Sequence, residues 1–291
     1  MKNNRSAIFF ALLAAALYAL NAPLSKLLLQ DAPPAMMAAF LYLGAGLGML
    51  IMSIVRKLSG RPSAEIHLSR KDLPYTLGMI VLDVLAPIFL MLGLSQTTAA
   101  NASLLNNFEI VATSLIALLL FREKISRRLF LAIGLIILSS VMLTVEDASS
   151  FQFSLGSVFV LLACCCWGLE NNCTRMLSGI DPQEVVIVKG LGSGAGALIV
   201  ALLAGEALPA LRLIPMVLLL GFVAYGLSIY FYVYAQRFLG AARTSACYAV
   251  QPFIGVLMSL VIFRELPDLR FFIALLIMIA GTWLVTKDQP S

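Results

Sequence analysis

Charge is scarce in this chain. Of 291 residues only 12% are Asp, Glu, Lys or Arg, against 61% that are hydrophobic; a soluble domain carries about 25% charged and about 45–50% apolar residues. So little polar surface cannot clothe a water-facing fold of this size, so lipid is the natural solvent. Polar–apolar alternation is lacking too, and the apolar runs are long and unbroken, which excludes a membrane barrel and leaves helices. Histidine occurs once, as His67, and no His-Glu-x-x-His exists. Gly192-Ser193-Gly194 has the core of a serine nucleophile turn, but its outer glycine is missing and no later histidine could act as base. Acidic residues do not cluster at one surface, which argues against metal-dependent lipid chemistry. The cysteines are few: Cys164, Cys165, Cys166 and Cys173 in one apolar run and Cys247 in another. Successive helical residues point about 100° apart, so the triple run cannot converge on one metal. These cysteines read as small packing residues, and no metal or cofactor is expected.

What the chain does have is span after span of apolar helix. A hydrocarbon core of ~30 Å takes roughly 20 apolar residues. Ten such segments can be drawn: Ser6–Leu29, Pro34–Val55, Leu73–Gly93, Asn101–Phe121, Leu129–Val145, Leu155–Ser178, Gln183–Ala204, Leu213–Gln236, Thr244–Phe263 and Phe271–Thr286. Lys2 and Arg5 before Ile8–Leu17, with Ala-Leu-Asn-Ala at 19–22, resemble a secretory signal. The first segment is longer than a signal core and equally long spans follow, so it reads as an uncleaved helix. Pro34, Pro74, Pro182 and Pro215 sit near span starts, where a missing N–H costs least. With the N-terminus inside, the inner segments collect fifteen Lys and Arg and the outer ones three, Arg212, Arg264 and Arg270. That bias predicts a multi-pass protein of the cell inner membrane with both termini cytoplasmic and an even number of spans. The net charge of +5 is this bias summed and implies no nucleic-acid partner.

The two halves resemble each other. Ala99-Ala100 through Phe121-Arg122-Glu123 overlays Ala241-Ala242 through Phe263-Arg264-Glu265 without a gap, at an offset of 142. The first spans of each half align at an offset of 149, setting Tyr18 on Trp167, Asn21 on Glu170 and Lys26 on Arg175. Gly44, Gly46 and Gly48 meet Gly190, Gly192 and Gly194. Two units are predicted, residues 1–147 and 148–291. Five helices is an odd number, so the second unit enters the membrane from the opposite side. The predicted fold is all-α integral membrane, ten transmembrane helices as two inverted five-helix repeats. Inverted repeats are the architecture of secondary transporters, with the substrate site near the midplane where the copies meet.

On Leu-Tyr-Ala-Leu-Asn-Ala-Pro-Leu-Ser-Lys (17–26), Cys-Trp-Gly-Leu-Glu-Asn (166–171) and the two stretches ending in Phe-Arg-Glu, the chain resembles a drug/metabolite transporter of the EamA type from Ala7 to Val285. It departs from the family pattern at Tyr18-Ala19, where a Trp-Gly pair is usual, and at Ile110, which matches Pro252 of the second half. The resemblance implies a transporter, not an enzyme, that moves amino acids or related metabolites outward. Lipophilic-cation efflux is the alternative, and an intramembrane enzyme a weaker one.

Charges inside membrane helices are expensive, about 2.5–3.5 kcal/mol at the centre on insertion scales, and mark function. Glu109, Asp83 and Glu170 lie within spans, and the repeat sets them on Gln251, Tyr225 and Asn21. Asn106, Glu109 and Thr113 share a helix face, as do Glu170 and Thr174. The candidate substrate-binding residues are Asn21, Asp83, Asn106, Glu109, Trp167, Glu170, Tyr225, Tyr248 and Gln251. Either they line one central cavity, or the carboxylates bond between helices to Lys189 or Arg175. In the first case Glu109 or Glu170 could carry a proton as coupling ion, while Lys189 or Arg175 meets a carboxylate on a small-molecule substrate. Tyr230, Tyr232 and Tyr234 read as interfacial belt residues. The glycines lie inside apolar helices and are not nucleotide loops; at spacing four, Gly44/Gly48 and Gly192/Gly196 predict close helix contacts or bending points. Glu123 and Glu265 read as capping or ion-pair residues at the membrane surface.

Overall fold

A computed structural model of the chain describes residues 2–59, 66–121, 126–147, 152–177, 179–239, 244 and 247–287. The first half comprises α1 (Lys2–Ala19), α2 (Asn21–Leu28), α3 (Pro34–Leu58), α4 (Leu73–Gln96), α5 (Ala99–Leu105), α6 (Phe108–Phe121) and α7 (Arg127–Thr144). A small antiparallel ribbon, β1 (Val145–Asp147) with β2 (Gln152–Phe153), links the halves. The second half continues with α8 (Leu155–Met176), α9 (Pro182–Leu203), α10 (Ile214–Gly221), α11 (Ser228–Leu239), α12 (Gln251–Phe263) and α13 (Leu269–Lys287). Arg122-Glu123, Ala241-Ala242 and Ser245, and the side chain of Arg175, lie outside the described residues.

Among the described residues eight helical segments are long and apolar enough to cross a membrane, and Gln251–Phe263 is a shorter apolar helix. The fourth span drawn from the sequence is not one helix. It breaks into α5 and α6 at Asn106-Asn107, two residues of low helix propensity, where the backbone bonds tighten to the i→i−3 pattern, as from Glu109 to Asn106 and from Ile110 to Asn107. At the offset of 142 this break falls on Tyr248-Ala249, just before α12 begins. There Pro252 has no N–H to offer the Tyr248 carbonyl. Pro23 does the same to Ala19, where α1 gives way to α2, and Pro87 to Asp83 inside α4. Between α10 and α11 one π-helical stretch, Phe222–Leu227, carries Tyr225. Irregular backbone at membrane depth is tolerated where it is buried in protein or lines a pathway.

The packing repeats under exchange of the halves. α3 lies on α9, α7 on α13 and α5 on α12; α1 lies on α11 as α4 lies on α8. Small residues make these approaches possible. A Cβ on Gly46 would meet the Leu191 amide nitrogen at 2.6 Å, and one on Gly194 the Leu43 amide nitrogen at 2.6 Å. Gly44 and Gly48 admit Leu218 and the Phe222 ring, while Gly192 and Gly196 admit Ile80 and Val84 on α4. The close-contact role expected of the spacing-four glycines is what they have. Around the outside, large apolar side chains stand bare, among them Leu119, Leu203, Val261 and Leu276. In water that would be a grave liability; against lipid it is the ordinary state of a helix surface.

Loop contacts sort by face. At one end Ile66 bridges Ile180, the Asp181 N–H donates to the Ile66 carbonyl at 2.8 Å, and Arg56 donates to the Gln183 amide oxygen at 3.3 Å. At the other, Gly205 (φ 73°) ends α9 in the left-handed turn that glycine favours. That turn delivers the Glu206 carboxylate to the amides of Ala35 and Met36, at 3.1 and 2.7 Å, and so caps α3. Arg270 donates to the Val145 carbonyl at 2.7 Å on the same side. Each contact joins segments that strict alternation across the bilayer assigns to one face.

Candidate functional site

Three charged side chains meet in the interior. Asp83 comes from α4 one turn before Pro87, Glu170 from the C-terminal half of α8, and Lys189 from α9 next to the Gly190 contact with Gly46. The Lys189 ammonium lies 3.0 Å from Asp83 Oδ2 and 3.0 Å from Glu170 Oε1. The side chains of Asp83 and Glu170 are 0% and 3% exposed, and that of Lys189 12%. Charges this deep persist only when paired and hydrogen-bonded. Lys189 supplies the counter-charge, and hydroxyl groups add hydrogen bonds. The Tyr42 hydroxyl donates to Asp83 Oδ1 at 2.9 Å, and Thr174, one turn along α8, donates to Glu170 Oε1. Trp167 in turn points its indole N–H at the Tyr42 hydroxyl, at the long distance of 3.5 Å. With all three groups ionised the cluster carries one net negative charge, so one proton or one further cation would neutralise it.

Beside the cluster stands a wall of tyrosines. The Tyr225 ring lies 5.0 Å from that of Tyr42 and 5.4 Å from that of Tyr18, and its hydroxyl accepts from the Asn21 amide at 2.9 Å. Asn21 is itself held by Ser25 at 3.0 Å. Tyr248 sits 6.2 Å from Tyr18, ring to ring, and its hydroxyl is 3.4 Å from Ser228 Oγ. The π-helical turn inserts Tyr225 into this wall; such turns recur at functional sites. Glu109, on α6 just past the Asn106-Asn107 break, accepts from Asn171 at 2.6 Å, and Asn171 also reaches Thr113 at 3.3 Å.

The sequence-selected residues are thus treated unequally. Asp83, Glu170 and Trp167 join one bonded chain, Asn21 and Tyr225 a second that touches it through Tyr42, and Tyr248 the end of the aromatic wall. Glu109 forms its own group with Asn171. Asn106 and Gln251 are buried, but among the described residues no side-chain hydrogen bond ties either of them into these groups. Of the two partners foreseen for the carboxylates, Lys189 bridges Asp83 and Glu170, while the side chain of Arg175 lies outside the described residues. Tyr42, Tyr18 and Asn171 join these groups although no charge marks them in the sequence. A tyrosine or asparagine in an apolar span was the available signal, weaker than a charge because either can satisfy itself locally. Away from the centre, at the face that carries Glu206, a recess of about 370 Å³ lies between Lys26, Gln96, Thr97, Phe263 and Glu265. Lys26 there donates to the Leu94 carbonyl.

A lipid-facing helical bundle of two similar halves, with charged groups held where the halves meet, is the build of a membrane transporter. The chain belongs to the EamA-like transporter family, which matches it twice, over residues 5–145 and 154–287. A protein of Methanothermobacter thermautotrophicus described as an uncharacterized transporter is 27% identical over 285 residues, covering 92% of this chain and 82% of the relative. A protein known from its crystal structure superposes with a TM-score of 0.69 over 96% of this chain and 95% of its own, at 17% identity. At that identity the likeness speaks for the fold alone.

Proposed function

We propose that this transporter is a secondary active exporter of amino acids or similar small polar metabolites, with protons as the coupling ion. The observation that carries the reading is the Asp83–Lys189–Glu170 cluster: both signs of charge, buried together, contributed by the first half (Asp83) and the second (Glu170 and Lys189). A zwitterion presents one carboxylate and one ammonium, and this cluster offers a counter-charge to each. Asn21, Asp83, Glu109, Trp167, Glu170, Tyr225 and Tyr248, with Asn106 and Gln251 at the two helix breaks, form the proposed path. The units 1–147 and 148–291 rock against each other around it. The positive-inside bias supports an inner-membrane location with both termini in the cytoplasm. Ten crossings follow if the broken fourth segment and the short ninth each traverse once.

The aromatic wall beside a net negative cluster favours a second reading, efflux of lipophilic cations, through contacts of the rings with the cation. Counterflow in vesicles reconstituted with purified protein separates the two. Labelled amino acids exchange against an internal pool under the first reading, and quaternary ammonium dyes under the second. If neither class exchanges, both readings fail.

A further inference from the structure

We propose that Asp83 and Glu170 form a site for a primary ammonium group, which Lys189 occupies as a built-in stand-in and which the amino group of the substrate takes over during transport. The role in transport rests on the function proposed above; the ammonium site itself does not.

The three partners differ in what holds each of them. Asp83 keeps a second bond, from Tyr42 on α3 at 2.9 Å, and Glu170 keeps one from Thr174 on its own helix. Neither carboxylate relies on Lys189 for its orientation. Lys189 is different. Its backbone is pinned, because its neighbour Gly190 lies against Gly46 with no room for a Cβ. Its ammonium sits at the end of a flexible four-carbon stem, and it is the most exposed of the three side chains, 12% against 0% and 3%. Of the cluster, the lysine head is the part that can leave while the carboxylates stay.

Charge then selects the ligand. An incoming R–NH3+ replaces the lysine ammonium one for one, so the carboxylates see the same charge and the same N–H donors before and after. The displaced Lys189 still needs a counter-charge in a place where an unpaired ion costs several kcal/mol or more. A carboxylate on the incoming molecule supplies it. A zwitterionic amino acid therefore exchanges with Lys189 without leaving an unpaired charge, whereas a simple amine strands the lysine and a quaternary ammonium has no N–H for the carboxylates.

Lys189→Ala tests this with ethylammonium as the probe. The full-length variant, purified in detergent, is expected to unfold at a lower temperature than wild type and to gain at least about 3 °C with saturating ethylammonium chloride. Wild type is expected to gain nothing, and tetramethylammonium chloride at equal ionic strength to shift neither protein. Should Lys189→Ala fail to fold, Lys189→Ala with Glu170→Gln keeps the formal charge of the cluster and is expected to show the same selective response through Asp83. Equal responses of wild type and variant, equal effects of the two cations, or no response in the variant that folds overturn the proposal. The readout is binding and needs no transport. A selective ethylammonium response alongside absent counterflow in wild type would keep the site and remove the transport reading.

Discussion

A Cβ on Gly190 would stand 2.4 Å from the amide nitrogen of Gly46, so α3 and α9 cross with their backbones in contact. No side chain can yield there, because what the new atom would meet is main chain. Gly190→Ala should therefore destabilise the protein by about 1–3 kcal/mol, as overpacking does elsewhere. Gly134→Ala on α7 meets nothing within 4 Å and should instead be neutral or stabilising, by up to about 1 kcal/mol from helix propensity. Thermal unfolding in detergent reads both, and equal effects would refute the packing account.

Tyr42→Phe removes the hydroxyl that links Trp167 to Asp83 while leaving the ring against Tyr225. The loss should be about 1 kcal/mol in stability. If Tyr42 orients Asp83 for substrate, KM in vesicle uptake should rise with the maximal rate little changed. A fall in rate at unchanged KM would assign Tyr42 a different role.

Glu170→Gln and Glu109→Gln bear on coupling. A proton entering as substrate leaves would make export faster when the medium is more acidic than the interior. With the proton-carrying carboxyl replaced, export should become indifferent to the gradient while counterflow, which needs no net proton movement, survives at a reduced level. If both variants respond to the gradient as wild type does, these carboxyls are not the coupling groups.

His67 is 2.7 Å from Glu184, but the side chains are 65% and 31% exposed. A contact this wet contributes about 1 kcal/mol or less. His67→Ala should leave transport unaltered and the thermal midpoint nearly so. A large loss of transport would instead give the lone histidine a part in the transport cycle.

Sidedness is open to labelling. In a background lacking the five native cysteines, a cysteine at Glu206 should react with an impermeant maleimide added to intact cells, and one at His67 only after the membrane is opened. Labelling of both from one side would break the alternation on which the inverted arrangement depends.

Local chemistry was legible from the chain alone. Long apolar runs, prolines at the starts of α3, α4, α9 and α10, and the asymmetry of Lys and Arg are properties of neighbouring residues, and lipid imposes them segment by segment. Asp83 and Glu170 announced themselves because a charge in such a run is an anomaly. The duplication was readable because both copies keep Gly-x-Gly-x-Gly and Phe-Arg-Glu. What the sequence could not decide is which partners those charges take, since α4, α8 and α9 meet only after the halves dock. Docking chose Lys189 as the bridge and recruited Tyr42 from α3. It also admitted the Phe222 ring against Gly48 at the π-helical turn that carries Tyr225. The break at Asn106-Asn107 belongs between the two: its cause is local, but its burial against the opposite half is tertiary. Helix formation in lipid is driven by each segment's own backbone, whereas a buried ion cluster exists only where several helices supply counter-charges at one point, and that point is set by packing.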